Sequence, residues 1–224
     1  ELTSSLADVA WKLFLKVENE GGFLEAAKAG SVQDDINATN TKRHADAAKR
    51  KEFILGTNQF PNFTEKADGK APVSCCCGCG SHDEPTFKAI NSTRLAADFE
   101  NLRMQTENSG KVPTAFMLTI GNLAMRQARA QFSSNFLACA GYNVIDNLGF
   151  KTVEEGVDAA LNAGANIIVI CSSDDEYAEY AIPAYKYLDG RAMFIVAGAP
   201  ACMDDLKAAG IENFVHVKCN VLET

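Results

Sequence analysis

The sequence predicts an α/β protein whose carboxyl-terminal part is a doubly wound sheet of five parallel strands. Apolar strand-like segments alternate with helical stretches along that part of the chain. The segment 166–170 is apolar through four consecutive positions, as expected of a strand covered on both faces. A break at Gly121-Asn122 separates the first strand candidate from a long helical pattern. Together these observations predict a flavodoxin-like domain, which binds ligands at the carboxyl ends of its strands.

Composition narrows the classes of function. The chain has 224 residues, 47% of them hydrophobic, which is enough for a full core. A formal net charge of -8 argues against nucleic acid as the main partner, because phosphate binding requires a basic face. The sequence contains no uncharged apolar run long enough to span a bilayer and no apolar signal segment at its start. We therefore expect a soluble, cytoplasmic protein without a membrane partner.

Residues 1–62 show mainly helical patterns. The first is a stripe of apolar side chains at helical spacing, and Gly21-Gly22 ends it. The stripe consists of Leu6, Val9, Ala10, Leu13, Phe14 and Val17. Burying four such side chains is worth about 6–12 kcal/mol, so we expect the stripe to pack on the α/β domain or on a neighbouring copy.

Residues 63–92 have the Pro, Gly and Ser content of a linker, and they contain a cysteine-rich insertion. Its spacing Cys76-x-x-Cys79-x-x-His82 provides three ligands of the type that zinc prefers, and Cys75 or Cys77 could complete four. The spacing matches no standard zinc finger. The sequence leaves two alternatives open: a structural metal at Cys76, Cys79 and His82, or an insertion of reduced thiols that binds no metal.

Residues 93–224 form the predicted α/β domain. Thr152 with Glu155 marks a helix start, while Gly164, Gly190 and Gly210 mark helix ends. The strand candidates are Thr114–Ile120, Tyr142–Ile145, Asn166–Cys171, Ala192–Ala197 and Phe214–Val217.

The predicted strand ends carry few groups for catalysis. The turn after the first strand has a single glycine, too few for a dinucleotide or phosphate loop. Ser172 and Ser173 follow the third strand, but a nucleophilic serine needs a nearby base, and none of the three histidines has a supporting spacing. We therefore predict that these serines cap the next helix, and we predict no catalytic residue.

Two long segments resemble one enzyme family. Residues 11–23, from Trp11 to Phe23, and residues 51–61, from Lys51 to Pro61, resemble methylmalonyl-CoA mutases and most closely their small (β) subunit. The resemblance identifies residues 1–62 as the helical tail of the family's substrate-binding (β/α)₈ barrel, 63–92 as a linker and 93–224 as a cobalamin-binding-like domain. On this resemblance the chain begins inside the barrel domain, and we expect it to be a fragment.

The resemblance also implies a chemistry. The family isomerises methylmalonyl-CoA and succinyl-CoA with adenosylcobalamin, in propionate metabolism, and its large subunit carries a D-x-H-x-x-G motif whose His ligates cobalt. In this chain that His position falls on Met125 or Arg126, and both are poor cobalt ligands. The other positions implied for the cobalamin face are Gly121, Ser172, Ser173 and Gly198, and the face is degenerate.

These departures predict a small subunit that binds no cofactor itself. The expected partner is the large subunit, which holds the adenosylcobalamin in a heterodimer, and the fragment alone is expected to be inactive. The alternative is a stand-alone corrinoid carrier or sensor that lacks the lower-ligand His. A cobalamin titration followed by visible absorption separates the two.

Overall fold

The computed structural model describes residues 1–66 and 87–224. The described residues divide into two compact units, one containing residues 1–45 and 87–94 and the other containing residues 46–66 and 95–224. The predicted cysteine-rich metal site, Cys76, Cys79 and His82, lies outside the described residues. No helix among the described residues combines the length and apolarity needed to cross a lipid bilayer.

The first unit is helical. It contains α1 (Leu2–Asn19), α2 (Phe23–Ala29) and most of α3 (Ser31–Ala48), whose residues 46–48 belong to the second unit. Lys16 on α1 forms an ion pair with Asp35 on α3. None of the residues of α1 is buried among the described residues, and Phe14 is 50% exposed. The helix was predicted correctly, but the expected burial of its apolar stripe is not seen in the described part of the chain.

The second unit contains the predicted parallel sheet. Its strands lie in the order β2-β1-β3-β4-β5, and all four strand pairs are parallel, which confirms the doubly wound, flavodoxin-like prediction. The strands are β1 (Thr114–Thr119), β2 (Asn143–Ile145), β3 (Ile167–Cys171), β4 (Met193–Ala197) and β5 (Asn213–Val215). The helices of this unit are α4 (Ala97–Asn108), α5 (Leu123–Cys139), α6 (Val153–Asn162), α7 (Tyr177–Leu188) and α8 (Met203–Ala208).

The sheet is covered on both faces. Every residue of β3 is buried, as its apolar run predicts. Leu118 and Ile170 point to one face and pack in a cluster with residues of α6 and α7. Met117 and Val169 point to the other face and pack with residues of α4 and α5. Because all the strand pairs are parallel, the carboxyl ends of the strands lie together at one end of the sheet, where a ligand site of this fold is expected.

Residues 46–66 belong to the same unit as the sheet. Their anchor is the fully buried Asn58, whose carboxamide donates to the carbonyls of Ala47 and Glu52, each at 2.8 Å, and accepts from the Ile54 amide at 2.7 Å. The Phe60 amide then donates to the side chain of Asn135 on α5. The assignment of residues 1–62 to the helical tail of a (β/α)₈ barrel stays a prediction.

Candidate functional site

The strand order places the topological switch point between β1 and β3, where chain connections leave in opposite directions. Two turns meet there, the β1–α5 turn at residues 120–122 and the β3–α7 turn at residues 172–176. Gly121 has a φ of 77°, a left-handed conformation that favours glycine. Asn122 caps α5, and its side chain accepts from the Met125 amide at 3.1 Å. This crevice is the default ligand site of the fold.

The Glu176 carboxylate lies in the crevice and joins the two turns. It accepts hydrogen bonds from the Asn122 amide at 3.0 Å and from the hydroxyls of Ser172 and Ser173, each at 2.7 Å. The Ser173 amide adds a fourth contact at 3.3 Å. The carboxylate therefore takes the amide and hydroxyl donors that an anionic ligand group would otherwise use at the start of α5.

These donors change the acidity of Glu176. The Asn122 amide is the largest influence and the Ser172 hydroxyl the next, and together with Ser173 they lower the pKa of Glu176 from 4.5 to about 2. Partial burial acts in the opposite direction and is outweighed. Glu176 is consequently a charged carboxylate at any physiological pH.

We expect this interaction to contribute to stability above pH 4.5 and to be lost in acid. Because folding lowers the pKa, the contribution is complete above the unfolded value of 4.5 and disappears as pH falls through about 2. A shift of this size corresponds to about 3 kcal/mol at most, and solvent screening of the partly exposed carboxylate reduces the expected contribution to about 1 kcal/mol. Denaturant titrations of the wild type and Glu176→Gln between pH 7 and pH 2 should show a difference in unfolding free energy that narrows over this interval.

Glu179→Gln is the matched control for that titration, since Glu179 is an exposed carboxylate in the first turn of the same helix. A difference between Glu176→Gln and the wild type that stays constant from pH 7 to pH 2 would contradict the assignment.

The close fit around Glu176 depends on Gly121. A Cβ atom at position 121 would lie 2.3 Å from a carboxylate oxygen of Glu176 and 2.6 Å from the Ser172 hydroxyl oxygen. Both distances are shorter than any ordinary contact. Glycine at this position therefore permits both the left-handed turn and the approach of the carboxylate.

An ion pair closes the neighbouring part of the crevice. Arg129 on α5 donates to the Asp174 carboxylate at 2.9 Å. The pair lies beside Gly198 at the end of β4, where a Cβ would be 3.2 Å from the Asp174 oxygen and 3.5 Å from the Arg129 guanidinium carbon. The ion pair thus connects α5 to the β3–α7 turn next to the end of β4.

The floor of the site is the fully buried phenol of Tyr177. Its hydroxyl donates to the Ala197 carbonyl at 2.5 Å and accepts from the Ser172 amide at 3.1 Å. Burial raises the pKa of Tyr177, so the phenol stays neutral and remains a donor. One side chain therefore ties the carboxyl ends of β3 and β4 together.

Arg126 links the β1–α5 turn to the loop that follows β2. Its guanidinium donates to the Gly121 carbonyl at 3.2 Å and to the Leu148 carbonyl at 2.9 Å. Asn147 holds the same β2–α6 loop to β1, because its side-chain oxygen accepts from the Thr119 hydroxyl at 2.5 Å. Both side chains are engaged with backbone or neighbouring groups and keep the loops after β1 and β2 together.

The structure brings most of the sequence-predicted face together. Gly121, Ser172 and Ser173 surround Glu176, and Gly198 adjoins the Arg129–Asp174 pair. Met125 and Arg126 lie in the first turn of α5, and Met125 is 39% exposed.

The prediction that the serines cap the next helix is wrong. Their hydroxyls donate to Glu176, while the N-cap of α7 is Glu176 itself, without a side-chain cap. An ionised carboxylate three or four positions on is a strong acceptor, and it holds both hydroxyls toward Glu176 and not toward the backbone amides of the first turn of α7.

Sequence reasoning also missed Glu176, Arg129 and Tyr177 as parts of the site. Their positions follow from the approach of two turns distant in sequence. The available signal was the acidic run Asp174-Asp175-Glu176 directly after two serines.

Within residues 1–66 and 87–224, no group of three or more His, Cys, Asp or Glu side chains lies close enough to hold a metal ion. Four cysteines in this part of the chain, Cys139, Cys171, Cys202 and Cys219, are free thiols. The sequence-predicted ligands Cys76, Cys79 and His82 lie outside these ranges, and that site stays a prediction.

Comparison with known proteins points to one family. Residues 1–77 match the family model described as methylmalonyl-CoA mutase. The chain is 63% identical over 226 residues to the methylmalonyl-CoA mutase small subunit of Porphyromonas gingivalis, with 100% of this chain and 36% of the relative covered. It is 30% identical over 223 residues to the small subunit of Streptomyces virginiae, with 99% of this chain and 34% of the relative covered. The chain thus spans about a third of the length of these relatives.

Proposed function

The chain belongs to the family of methylmalonyl-CoA mutase small subunits, and from this premise we propose that it is a part of such a subunit that binds no cofactor. In the proposed role the small subunit supports a catalytic large subunit in a heterodimer. The large subunit holds adenosylcobalamin and isomerises methylmalonyl-CoA and succinyl-CoA in cytoplasmic propionate metabolism. The chain on its own is then inactive.

The closed switch point is the observation that carries the proposal. The fold and the family resemblance together direct cobalamin to this end of the sheet. Glu176 uses the amide and hydroxyl donors of both turns, and the Arg129–Asp174 pair connects α5 to the β3–α7 turn beside β4. A bound cofactor would have to displace a charged group with four hydrogen bonds. The residues present therefore do not fit the cofactor.

The lower-ligand position supports the same proposal. The cobalt-binding His of the resembled family corresponds to Met125 or Arg126. The Arg126 guanidinium is a cation without a lone pair, and it is already bonded to two carbonyls. Met125 offers only a thioether, which is a weak ligand. Unlike His, it has no second ring nitrogen through which a neighbouring carboxylate could orient it. The corrinoid carrier alternative requires an open crevice and is not favoured by these contacts.

An α/β domain that carries out no cofactor chemistry can still contribute by binding a partner subunit. A subunit that binds the folded form of its partner stabilises that form by mass action. Two chains of related fold can pair through matching surfaces in a pseudo-symmetric dimer. We therefore place the contribution of this domain in assembly and in the stability of the large subunit.

Turnover of the reconstituted heterodimer tests this role. Changing Met125 and Arg126 to Ala in the full-length small subunit should leave the rate per assembled heterodimer within about twofold of wild type, a difference of about 0.4 kcal/mol. The assembled fraction is measured by analytical ultracentrifugation, so that an effect of Arg126→Ala on loop packing is separated from an effect on chemistry. A large fall in turnover per heterodimer, with the cobalamin of the large subunit fully bound, would place chemistry on this face.

A further inference from the structure

An exposed apolar loop lies on the second unit. This apolar loop consists of residues 53–63, which follow α3 and precede the sheet. Four large apolar side chains in the loop are more than half exposed: Phe53 at 65%, Leu55 at 77%, Phe60 at 60% and Phe63 at 57%. Single exposed apolar side chains are normal on a protein surface, whereas a group this dense marks an interaction site.

Hydrogen bonds within the loop fix its shape. The buried side chain of Asn58 accepts from the Ile54 amide, and the Gly56 amide donates to the Gln59 carbonyl at 2.8 Å. Phe60 then has a φ of 50°, a left-handed conformation that a residue with a bulky side chain rarely adopts. Such a conformation persists only where the surrounding structure imposes it. The loop therefore presents its exposed side chains in a fixed arrangement.

Contacts with α5 anchor the loop to the sheet. The Phe60 amide donates to the Asn135 side chain on α5 at 2.9 Å. The Gln59 side chain accepts from Arg50, whose guanidinium lies 5.3 Å from the centroid of the Phe132 ring on α5. Because the loop is held in place before any partner arrives, little conformational entropy is lost when a partner covers it.

The apolar area of the loop distinguishes between classes of partner. An aromatic side chain has about 200 Å² to bury, so the exposed parts of these four side chains offer roughly 500 Å². With an equal area on the other side the total is about 1,000 Å², within the range of about 600–1,500 Å² for interfaces between domains of one chain. A stable complex between separate proteins buries about 1,200–2,000 Å². The loop alone therefore suits another domain of its own subunit and is too small to hold a second copy.

The limits of the family match support the same occupant. The match to the methylmalonyl-CoA mutase model covers residues 1–77, whereas in the structure residues 46–66 belong to the unit that contains the sheet. The apolar loop is therefore a segment of mutase-model sequence that is fixed on the α/β unit. Since this chain spans about a third of its small-subunit relatives, most of such a subunit is available to cover the loop.

We propose that the apolar loop is the surface through which the α/β unit binds the part of the full-length small subunit that lies outside this chain. The surface that covers it is an apolar area of about 500 Å² on that part, and the contact holds two domains of one polypeptide in a fixed arrangement. The inference rests on the proposal that this chain is part of a longer small subunit, and it requires neither cobalamin nor the large subunit.

Hydroxyl-radical footprinting of this chain and of the full-length small subunit tests the contact. The modification rate of a side chain follows its exposure to solvent. Phe53, Leu55 and Phe60 should therefore react at least about fivefold more slowly in the full-length subunit, as expected for side chains in the buried core of an interface.

Tyr187 is the control for footprinting. It is 39% exposed and lies on α7, which packs on the opposite face of the sheet from α5. Its modification rate should be the same in this chain and in the full-length subunit.

A double variant shows whether the loop maintains the contact. Phe53→Ser with Phe60→Asn removes two exposed apolar side chains, and asparagine tolerates the left-handed backbone at position 60. In the full-length subunit the unchanged Leu55 and Phe63 should then react at least about threefold faster than in the wild type, because the main anchors of the interface are lost. Circular dichroism of this chain with the same two changes checks that the α/β unit still folds, and Tyr187→Ser is the matched control variant.

Three results would overturn the inference. The first is equal modification of the loop in this chain and in the full-length subunit. The second is protection that appears only after the large subunit is added, which would make that subunit the occupant. The third is protection in this chain alone that increases with its concentration, which would indicate a second copy. None of them bears on the proposed lack of cofactor binding, which a cobalamin titration measures separately.

Discussion

Replacing Gly121 with Ala should lower the free energy of unfolding by about 3–5 kcal/mol, because two separate penalties meet at this position. The left-handed backbone at φ 77° costs a residue with a Cβ about 1–2 kcal/mol. The new Cβ would also lie 2.3 Å from a Glu176 oxygen, so the carboxylate must move away and lose hydrogen bonds to both turns. Hydrogen bonds to a charged group are worth about 1.5–3 kcal/mol. Urea denaturation at pH 7 measures the change.

Gly110→Ala is the control that separates the two penalties. Gly110 has nearly the same φ, 76°, but a Cβ there meets nothing within 4 Å. This variant should lose about 1–2 kcal/mol from backbone strain alone. Similar losses for Gly110→Ala and Gly121→Ala would show that Glu176 is not held against the turn.

A double-mutant cycle then assigns the remaining loss to Glu176. In Gly121→Ala combined with Glu176→Ala the close contact is absent, so the combined loss should be smaller than the sum of the two single losses by about 1 kcal/mol or more. Additive losses would indicate that the two positions act independently.

Replacing Tyr177 with Ala should destabilise the second unit by about 3–5 kcal/mol. The side chain is fully buried in the core below the site, and truncation of a buried aromatic ring to Ala has a cost of this size. Tyr177→Phe preserves the ring but leaves the Ala197 carbonyl and the Ser172 amide without their partner, so we expect a loss of about 1–3 kcal/mol.

Tyr187→Phe is the matched control for the hydroxyl. Tyr187 lies on the same helix, and its hydroxyl bonds to the Asp158 carboxylate at the exposed surface. This change should stay within about 0.5 kcal/mol of wild type. Equal effects of the two phenylalanine variants would contradict a structural role for the buried hydroxyl of Tyr177.

The sheet could be predicted from the sequence because the signals for its strands are local. The apolar run at 167–170 and the alternation of strands and helices predicted β3 and the parallel topology, and both are confirmed. The predicted ends of all five strands differ from the observed ends by one residue or, in the edge strand β5, by up to two. Phe214–Val217 was predicted for the last strand, and Asn213–Val215 is observed. Short edge strands have fewer neighbours to fix their ends.

The site was only partly predictable because its key contacts join distant positions. Residues 120–122 and 172–176 are about fifty positions apart, and no local pattern shows that Glu176 reaches across to the Asn122 amide. The resemblance assigned Gly121 and Ser172 to one cobalamin-like face, and in the structure the two residues are neighbours, but the resemblance gave no reason to expect a carboxylate between them. Sequence periodicity likewise predicted α1 but not its surroundings, since an apolar stripe does not specify what covers it.

The central claim, that this chain's own side chains occupy the place of a cobalamin ligand, is tested most directly by titrating the purified chain with cobalamin and recording visible absorption. Our account predicts a spectrum equal to the sum of free cobalamin and protein at every ratio, and no cobalamin retained after gel filtration. The large subunit is the positive control. A saturable base-off spectrum, or cobalamin that co-elutes with the chain in stoichiometric amount, would contradict the account.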